Sequence, residues 1–371
     1  MKFSCDQQTL LKALNIVNKA VSPRITIPIL KGILFTVRDN KLVMTSSDMD
    51  MTIKHTIKDN IVIEEEGEVV INAKKFTEIV RKLPRETVTI ETIEENSVTI
   101  RTSNLVADLY CISADEFPKI NTDNDYSETL VFNSGLLVDM INKTSFAASS
   151  DETKGIITGE LIEIEENSIN MIALDSFRMA VKKEPVKNVK EEKVVIDAKI
   201  LNEISKILSE NEEEEDVILK ISKKRAQVSL SNTEVSLRLL EGEFIKYRDV
   251  LPKEEGIKVI VNREDLINSI ERASLIAEKK NNLIRINIKN NLMSITSRSE
   301  EGSIKEDLIV DKTGDDIEIG FNSKYFIDAL KVIEDEEIKI IFNSSISPAL
   351  IVPVEGDDYQ YLILAVRISS I

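Results

Sequence analysis

The sequence predicts an α+β protein in which one unit of about 125 residues occurs three times. Three segments share a pattern: VVINAKKFTEIVRKL (69–83), VVIDAKILNEISKIL (194–208) and IGFNSKYFIDALKVI (319–333). Aligning Ile71, Ile196 and Phe321 gives spacings of 125 and 125. A second set opens each unit: FSCDQQTLLKALNIV, VFNSGLLVDMINKTS and VIVNREDLINSIERA, with Asp6, Asn133 and Asn262 spaced 127 and 129. Between these segments the apolar residues alternate with period 2, the signature of half-buried strands.

Each element follows from its own residues. In the opening segments a short strand runs into Asp6, Asn133 or Asn262, side chains that accept from the free N–H groups of a helix start. Leu10 and Leu14, Leu137 and Ile141, and Leu266 and Ile270 then hold corresponding core places. The second helices start after Asn72, Asp197 and Asn322. They bury Phe76, Ile79, Val80 and Leu83; Leu201, Ile204 and Leu208; and Phe326, Ala329, Leu330 and Ile333, at helical i, i+3, i+4, i+7 spacing. Strands bounded by polar turns are predicted in KLVMTSSDMDMTIKHTI, TVTIETIEENSVTIRTS, SINMIALDSFRMAV, DVILKISKKRAQVSLS and EIKIIFN. The polar stretches NTDNDYSE (121–128) and LPKEEG (251–256) divide the chain into units 1–125, 126–252 and 253–371. The acidic run at 212–216 reads as a solvated loop.

Composition narrows the function classes. The 371 residues are 42% hydrophobic and 30% charged, the balance of a globular protein and not of a disordered one. A single histidine, His55, excludes chemistry that needs two, and its place in TIKHTI suits a half-exposed strand residue. Cys5 and Cys111 do not make a disulfide framework and read as small buried hydrophobes in a reducing cytoplasm. No apolar run is long enough to span a bilayer, and the start MKFSCDQQ lacks the apolar stretch of a signal peptide. The net charge of −17 argues on its face against nucleic acid.

That charge is unevenly placed. Over 6–21, 73–85, 134–146, 197–209, 263–280 and 322–333 the balance of Lys and Arg against Asp and Glu is +1, +4, 0, 0, 0 and +1. These helices therefore total +6, and the remainder carries −23. Lys74 with Arg81, Lys199 with Lys206, and Lys324 with Lys331 occupy the same repeat positions, each pair seven residues apart and so on one helix face. Lys12 with Lys19 and Arg272 with Lys279 repeat the spacing on the other helices. Any exposed helix carries lysines, yet three register-matched pairs on an acidic protein point to a shared positive surface for phosphates. Few aromatics accompany them, so a duplex read without base contact fits better than a stacked single strand.

Catalytic constellations are missing. The sequence contains no GxGxxG, GxxxxGK[ST], HExxH, CxxC or GxSxG. Asp48 and Asp50 form the best carboxylate pair and offer the alternative of a metal-dependent hydrolase, against a polar turn at a strand end. A repeat scaffold that does not touch DNA is a third reading.

Taken together, these residues resemble the bacterial sliding-clamp family, the beta subunit of DNA polymerase III. The resemblance runs through the opening MKF, Pro28-Ile29-Leu30, SADEFP (113–118), ALDSFRMAV (173–181), EGEFIKYRDVLPK (241–253), IEIGFNSKYFIDAL (317–330) and YLILAVRI (361–368). It implies three clamp domains per chain and a head-to-tail homodimer closing a ring of six domains around duplex DNA. The ring is a processivity factor without an active site, metal or cofactor, working in the cytoplasm on the nucleoid. Helices line the hole, so Lys12, Lys19, Lys74, Arg81, Lys199, Lys206, Arg272, Lys279, Lys324 and Lys331 face the DNA. Arg24 joins them through the family match alone.

The resemblance also implies partners: a replicative polymerase subunit, an ATP-driven clamp loader, and mismatch-repair and ligase-type proteins. These dock a short apolar, Gln-containing motif between the second and third domains. Matching positions are Leu174, Ser176, Phe177, Arg178, Met179, Ile245, Val250, Ile363, Leu364, Val366 and Arg367. Ser176-Phe177 replaces the family's common Gly-His, Ala365 replaces Pro, and the tail continues through Ser369, Ser370 and Ile371, so a differently shaped pocket is expected. Ring closure maps to Ala107 and Leu109 on one side and Leu275 and Ile276 on the other. Ala107 stands where a large aromatic is frequent, which implies a smaller apolar interface.

Overall fold

A computed structural model describes residues 1–22, 26–94, 96–119, 126, 128–186, 190–210, 214–252, 256–278 and 280–368. Of the expected site residues, Arg24 and Lys279 lie outside the described residues, as do Ser369, Ser370 and Ile371 and parts of both boundary stretches and the acidic run. By contacts the chain forms two compact units, 1–135 with 206–239, and 136–205 with 240–371, a division that cuts through the second repeat.

Six helices form where the repeat places them: α1 (Gln7–Val17), α2 (Ala73–Lys82), α3 (Ser134–Thr144), α4 (Ala198–Ser209), α5 (Arg263–Ile276) and α6 (Ser323–Lys331). All six caps accept from the first turn. Asp6 Oδ1 takes the N–H of Gln8 and Thr9, Asn72 that of Lys75, Asn133 that of Gly135, Asp197 that of Lys199, Asn262 that of Asp265 and Asn322 that of Lys324. Except for α4, the helices end earlier than the charge windows drawn on the sequence. α1 tightens into a 3-10 turn at Asn18–Ala20, and α2 stops before Pro84, which disfavours helix at the residue preceding it.

Within each repeat the two helices lie against each other through polar contacts. Gln7 Nε2 donates to Val80 O at 2.8 Å and Asn18 Nδ2 to Thr77 Oγ1 at 2.8 Å between α1 and α2. Ser205 Oγ donates to Asn142 Oδ1 at 2.9 Å between α3 and α4, and Lys331 meets Glu271 at 3.2 Å between α5 and α6. Their apolar stripes face inward: Leu10, Leu14, Phe76, Val80, Leu266, Ile270, Phe326 and Leu330 are fully buried. Each such burial contributes about 1.5–3 kcal/mol before entropy is charged against it.

The first unit holds a thirteen-stranded antiparallel sheet. It runs from Glu128–Asn133 through Asp216–Ile221, Arg225–Leu230, Thr233–Arg238, Met51–Ile57, Lys41–Ser47, Gly32–Arg38, Gly67–Asn72, Val106–Ile112, Ser97–Arg101, Thr87–Glu94 and Lys2–Asp6 to Ile61–Glu65. Thr233–Arg238 pairs with Met51–Ile57 in the register Val235 to Ile53, so strands far apart in sequence share one sheet. The long alternating stretch 41–57 is thus two strands, broken at Asp48-Met49-Asp50. Gly32 sits there because a Cβ would lie 2.4 Å from Val70 Cγ1; its counterpart Gly159 in the second unit faces Ile196 O at 2.7 Å.

The second unit holds two sheets. The nine-stranded one runs Glu192–Asp197, Gly159–Glu165, Ser168–Leu174, Arg178–Pro185, Tyr359–Ile363, Ala349–Pro353, Glu337–Phe342, Ile257–Asn262, Asp311–Thr313. The four-stranded one runs Gly302–Ile309, Leu292–Ser299, Leu283–Lys289, Ile317–Asn322, with α5 packed on its first two strands. Helices on antiparallel sheets make the architecture α+β, as the repeats predict. No described helix is long and apolar enough to cross a membrane.

Candidate functional site

The expected phosphate-facing cations divide into two groups. Lys12, Lys74, Arg81 and Lys324 are exposed and, among the described residues, enter no ion pair. Four others are held by carboxylates: Lys19 by Glu210 at 3.0 Å, Lys199 by Glu152 at 2.7 Å, Arg272 by Glu306 at 2.6 Å, and Lys331 by Glu271 at 3.2 Å. Lys206 is exposed on α4. The pairing lowers the positive potential that each cation projects, because a neighbouring opposite charge within a few ångströms cancels most of its field in water. The free cations concentrate on the first unit. There Lys31, Lys74, Lys75 and Arg81 line a cleft of about 550 Å³ beside α1 and α2, with Asn15, Asn18 and Ser22. Sequence spacing had no means of singling out Lys31.

The expected self-association residues lie at sheet edges. Strand Val106–Ile112 pairs over 106–110 with Ser97–Arg101 but meets Gly67–Asn72 only at Cys111 and Ile112, so that among the described residues 106–110 keep a free edge. Strand Gly302–Ile309 is the outermost of its sheet. Ala107 and Leu109 are half-buried, and Tyr110 on the opposite face is 92% exposed. Leu109 lines an apolar groove of about 390 Å³ with Ile79, Leu83 and Leu105. On α5, Leu275 is 78% exposed and Ile276 half-buried.

The expected peptide-pocket residues fall on two faces of the nine-stranded sheet, a distinction the sequence reading did not make. Cross-strand partners share a face: Leu174 pairs with Met179, and Met179 with Leu362, whereas Arg178 pairs with Ile363. On the first face, Leu174, Met179 and Leu362 pack with Leu161, Val195 and Tyr247, under a segment carrying Leu240, Phe244 and Leu251. Ile245 and Val250 on that segment remain 43% and 48% exposed. On the other face, Arg178 reaches Asp175 at 3.3 Å and Asp328 at 2.5 Å, its guanidinium over the rings of Tyr325 and Phe146.

The strand phase separates two of these residues from the rest. Ile363 is 1% exposed and belongs to the opposite core with Phe321 and Leu330. The residue in phase is Leu362, which counting by twos from Met179 across the strand pair identifies. Arg178 likewise points to α6 and not toward Leu174. Phe177 stacks on Tyr325, the ring centroids 5.7 Å apart. Ser176, Leu364 and Arg367 are exposed and Val366 half-buried, with Leu364 N donating to Phe177 O at 2.9 Å. Ile346, in the turn between Glu337–Phe342 and Ala349–Pro353, adds an exposed apolar residue at the same end of the sheet.

The carboxylate pair has a local explanation. Asp48 Oδ1 accepts from the N–H of Asp50 and of Met51, closing the turn between two strands, while burial holds its carboxyl above the usual value. His55 is half-buried at the seam with Thr233, its ring nitrogen 2.8 Å from Thr233 Oγ1.

Three family models match in succession: the N-terminal, central and C-terminal domains of the DNA polymerase III beta subunit, over residues 1–121, 132–246 and 248–367. The chain is 34% identical over 384 residues to the beta sliding clamp of Halalkalibacterium halodurans, covering 99% of this chain and 100% of that protein. It is similar to the crystal structure of the DNA polymerase sliding clamp of Bacillus subtilis, with a TM-score of 0.95, 33% identity and full coverage of both chains. The beta-subunit structure from Thermotoga maritima aligns with a TM-score of 0.92 at 29% identity, over 99% of this chain and 100% of that one.

Proposed function

The chain belongs to the DNA polymerase III beta-subunit family, the bacterial sliding clamps, and on that premise we propose that it encircles duplex DNA and tethers the replicative polymerase to it. It is a non-catalytic processivity factor. The observation that carries this is the succession of three beta-subunit domains over the whole chain. The three-domain division 1–125, 126–252 and 253–371 is part of the same reading.

Two copies join head to tail through the free edge at 106–110 of one and the outer edge Gly302–Ile309 of the other. Antiparallel edge pairing satisfies backbone groups that a lone edge leaves to water. Leu275 and Ile276 of a second copy supply apolar side chains for the groove at Ile79, Leu83, Leu105 and Leu109. Leu275→Asp places a charge in that groove and is expected to weaken the dimer at least tenfold in analytical ultracentrifugation; an unchanged dissociation constant refutes this contact.

DNA is held by topology, so phosphate contacts need only be weak. Such contacts carry no sequence information, which suits a ring that must pass over every sequence. The cleft lined by Lys31, Lys74, Lys75 and Arg81 provides them. A loader opens the ring with ATP, since this chain offers no nucleotide-binding loop, and the polymerase, mismatch-repair and ligase-type proteins dock apolar motifs on the Leu174–Met179–Leu362 face. The protein works in the cytoplasm on the nucleoid. The direct test loads the dimer on circular duplex DNA with its loader and then cuts the circle. The protein is expected to run off the ends, and retention on the linear product overturns the ring mechanism.

A further inference from the structure

The apolar segment that roofs the Leu174–Met179–Leu362 face is not fixed by apolar packing alone. From Ile245 to Val250 its backbone bonds are local, Tyr247 N to Ile245 O, Asp249 N to Lys246 O and Val250 N to Tyr247 O, and it forms only the short 3-10 turn Tyr247–Asp249. Between this segment and the sheet lies a cavity of about 550 Å³, lined by Leu161, Glu163, Lys193, Val195 and residues 242–249. A segment spanning a cavity needs a tether. Glu163, on strand Gly159–Glu165, supplies one from a side chain that is fully buried.

Its carboxylate gathers three donors. The Tyr247 hydroxyl donates at 2.6 Å, Arg248 donates to one oxygen at 3.0 Å and approaches the other at 2.7 Å, and Lys193 Nζ lies 2.6 Å away. Arg248 also reaches Glu165 at 2.9 Å, and its guanidinium lies over the Tyr247 ring at 4.8 Å. Burial by itself would raise the Glu163 carboxyl; the bonds from Arg248, Lys193 and Tyr247 more than reverse this and bring it down to about 2. The anchor is therefore a full charge at any physiological pH. Two of its donors are consecutive residues of the segment, and the exposed apolar pair Ile245 and Val250 lies on either side of them.

We propose that Glu163 is a positioning residue for partner binding: it touches no partner, and holds Tyr247 and Arg248 so that Ile245 and Val250 are presented in one arrangement to an incoming apolar peptide. Preorganisation of this kind raises affinity by removing the ordering cost from the binding step. The inference rests on the reading of this face as the peptide groove.

The test uses the full-length dimer and a labelled synthetic peptide containing one Gln and a cluster of Leu and Phe. Glu163→Gln is expected to weaken peptide binding about tenfold, mainly through faster dissociation, and to raise amide exchange across 244–250 in the free protein. Retention on circular DNA should stay that of the parent, while the melting temperature should fall, since the variant loses the carboxylate's contribution to the fold. Arg248→Ala combined with Glu163→Gln should cost little more than Glu163→Gln alone, the non-additivity of residues in one network. Should Glu163→Gln not fold, Tyr247→Phe keeps the ring in the core and removes one of the three donors, and should give a smaller loss in the same direction. Peptide affinity within twofold of the parent in both variants, or a loss matched by unchanged exchange across 244–250, overturns the inference. Parent protein that does not bind the peptide, or binding indifferent to Leu174→Arg, overturns instead the groove reading on which it stands.

Discussion

Replacing Lys74 and Arg81 together by glutamine is expected to weaken the affinity of the dimer for a short duplex by tenfold or more at moderate salt. Each phosphate contact released should lower the slope of log affinity against log salt by about one, so two residues in two copies can remove up to roughly four. The matched control is Lys199→Gln with Lys331→Gln, which sits at the same repeat positions. Those cations are engaged by Glu152 and Glu271, at 2.7 and 3.2 Å, and so make fewer phosphate contacts for their loss to release. The slope should change by less than half as much. Equal changes in both pairs, read by anisotropy between 50 and 200 mM salt, refute the division into free and neutralised cations.

The second large effect concerns pH. Glu160 is completely buried on strand Gly159–Glu165. Thr144 Oγ1 donates to Oε2 at 2.5 Å, while Oε1 has no partner among the described residues. Burial first, and the nearby Asp197 charge last, push its carboxyl up to about 8 against the Thr144 bond, which pulls the other way. Below the unfolded value of 4.5 the group is neutral in both states and costs nothing. Between 4.5 and about 8 the unfolded chain ionises while the folded one holds its proton, so stability falls as pH rises, by about 1.4 kcal/mol per unit. The full loss is on the order of 4–5 kcal/mol and is complete above about 8.

Two other groups titrate elsewhere or oppositely. Glu163, brought down to about 2, loses its contribution only as pH falls below the ordinary carboxylate range. His55, lowered by burial to about 4, costs stability as pH falls from 6.5 toward 4. The region above pH 6.5 therefore isolates Glu160. There the denaturant midpoint of the parent should fall with pH relative to that of Glu160→Gln, and parallel midpoints from pH 6.5 to 8.5 refute the buried proton.

Much of this molecule is legible in the chain. The 125-residue repeat, six helices, their Asx caps and the apolar stripe of each helix depend on residues within a few positions of one another, and local spacing is what sequence displays. The pairing of matched cations seven residues apart is equally local, and it split a net charge of −17 into a positive helical set and a negative remainder. Strand phase was half legible. Leu174 and Met179 follow from alternation, yet Leu362 rather than Ile363 shares their face only because Met179 pairs with it across 183 residues.

What spacing does not carry is the identity of distant partners. Lys199 and Glu152, Arg272 and Glu306, Lys331 and Glu271, and Lys19 and Glu210 meet only when strands and helices fold back, and that meeting decides which cations are held by carboxylates. Glu163, an unremarkable member of the alternating ELIEIEE stretch, becomes the acceptor of Tyr247 and Arg248 in the same way. The sequence by itself determined the repeat, the elements and the family. The tertiary structure decided the working charge and the anchored roof of the groove, because electrostatic pairing acts over ångströms in space and is indifferent to separation along the chain.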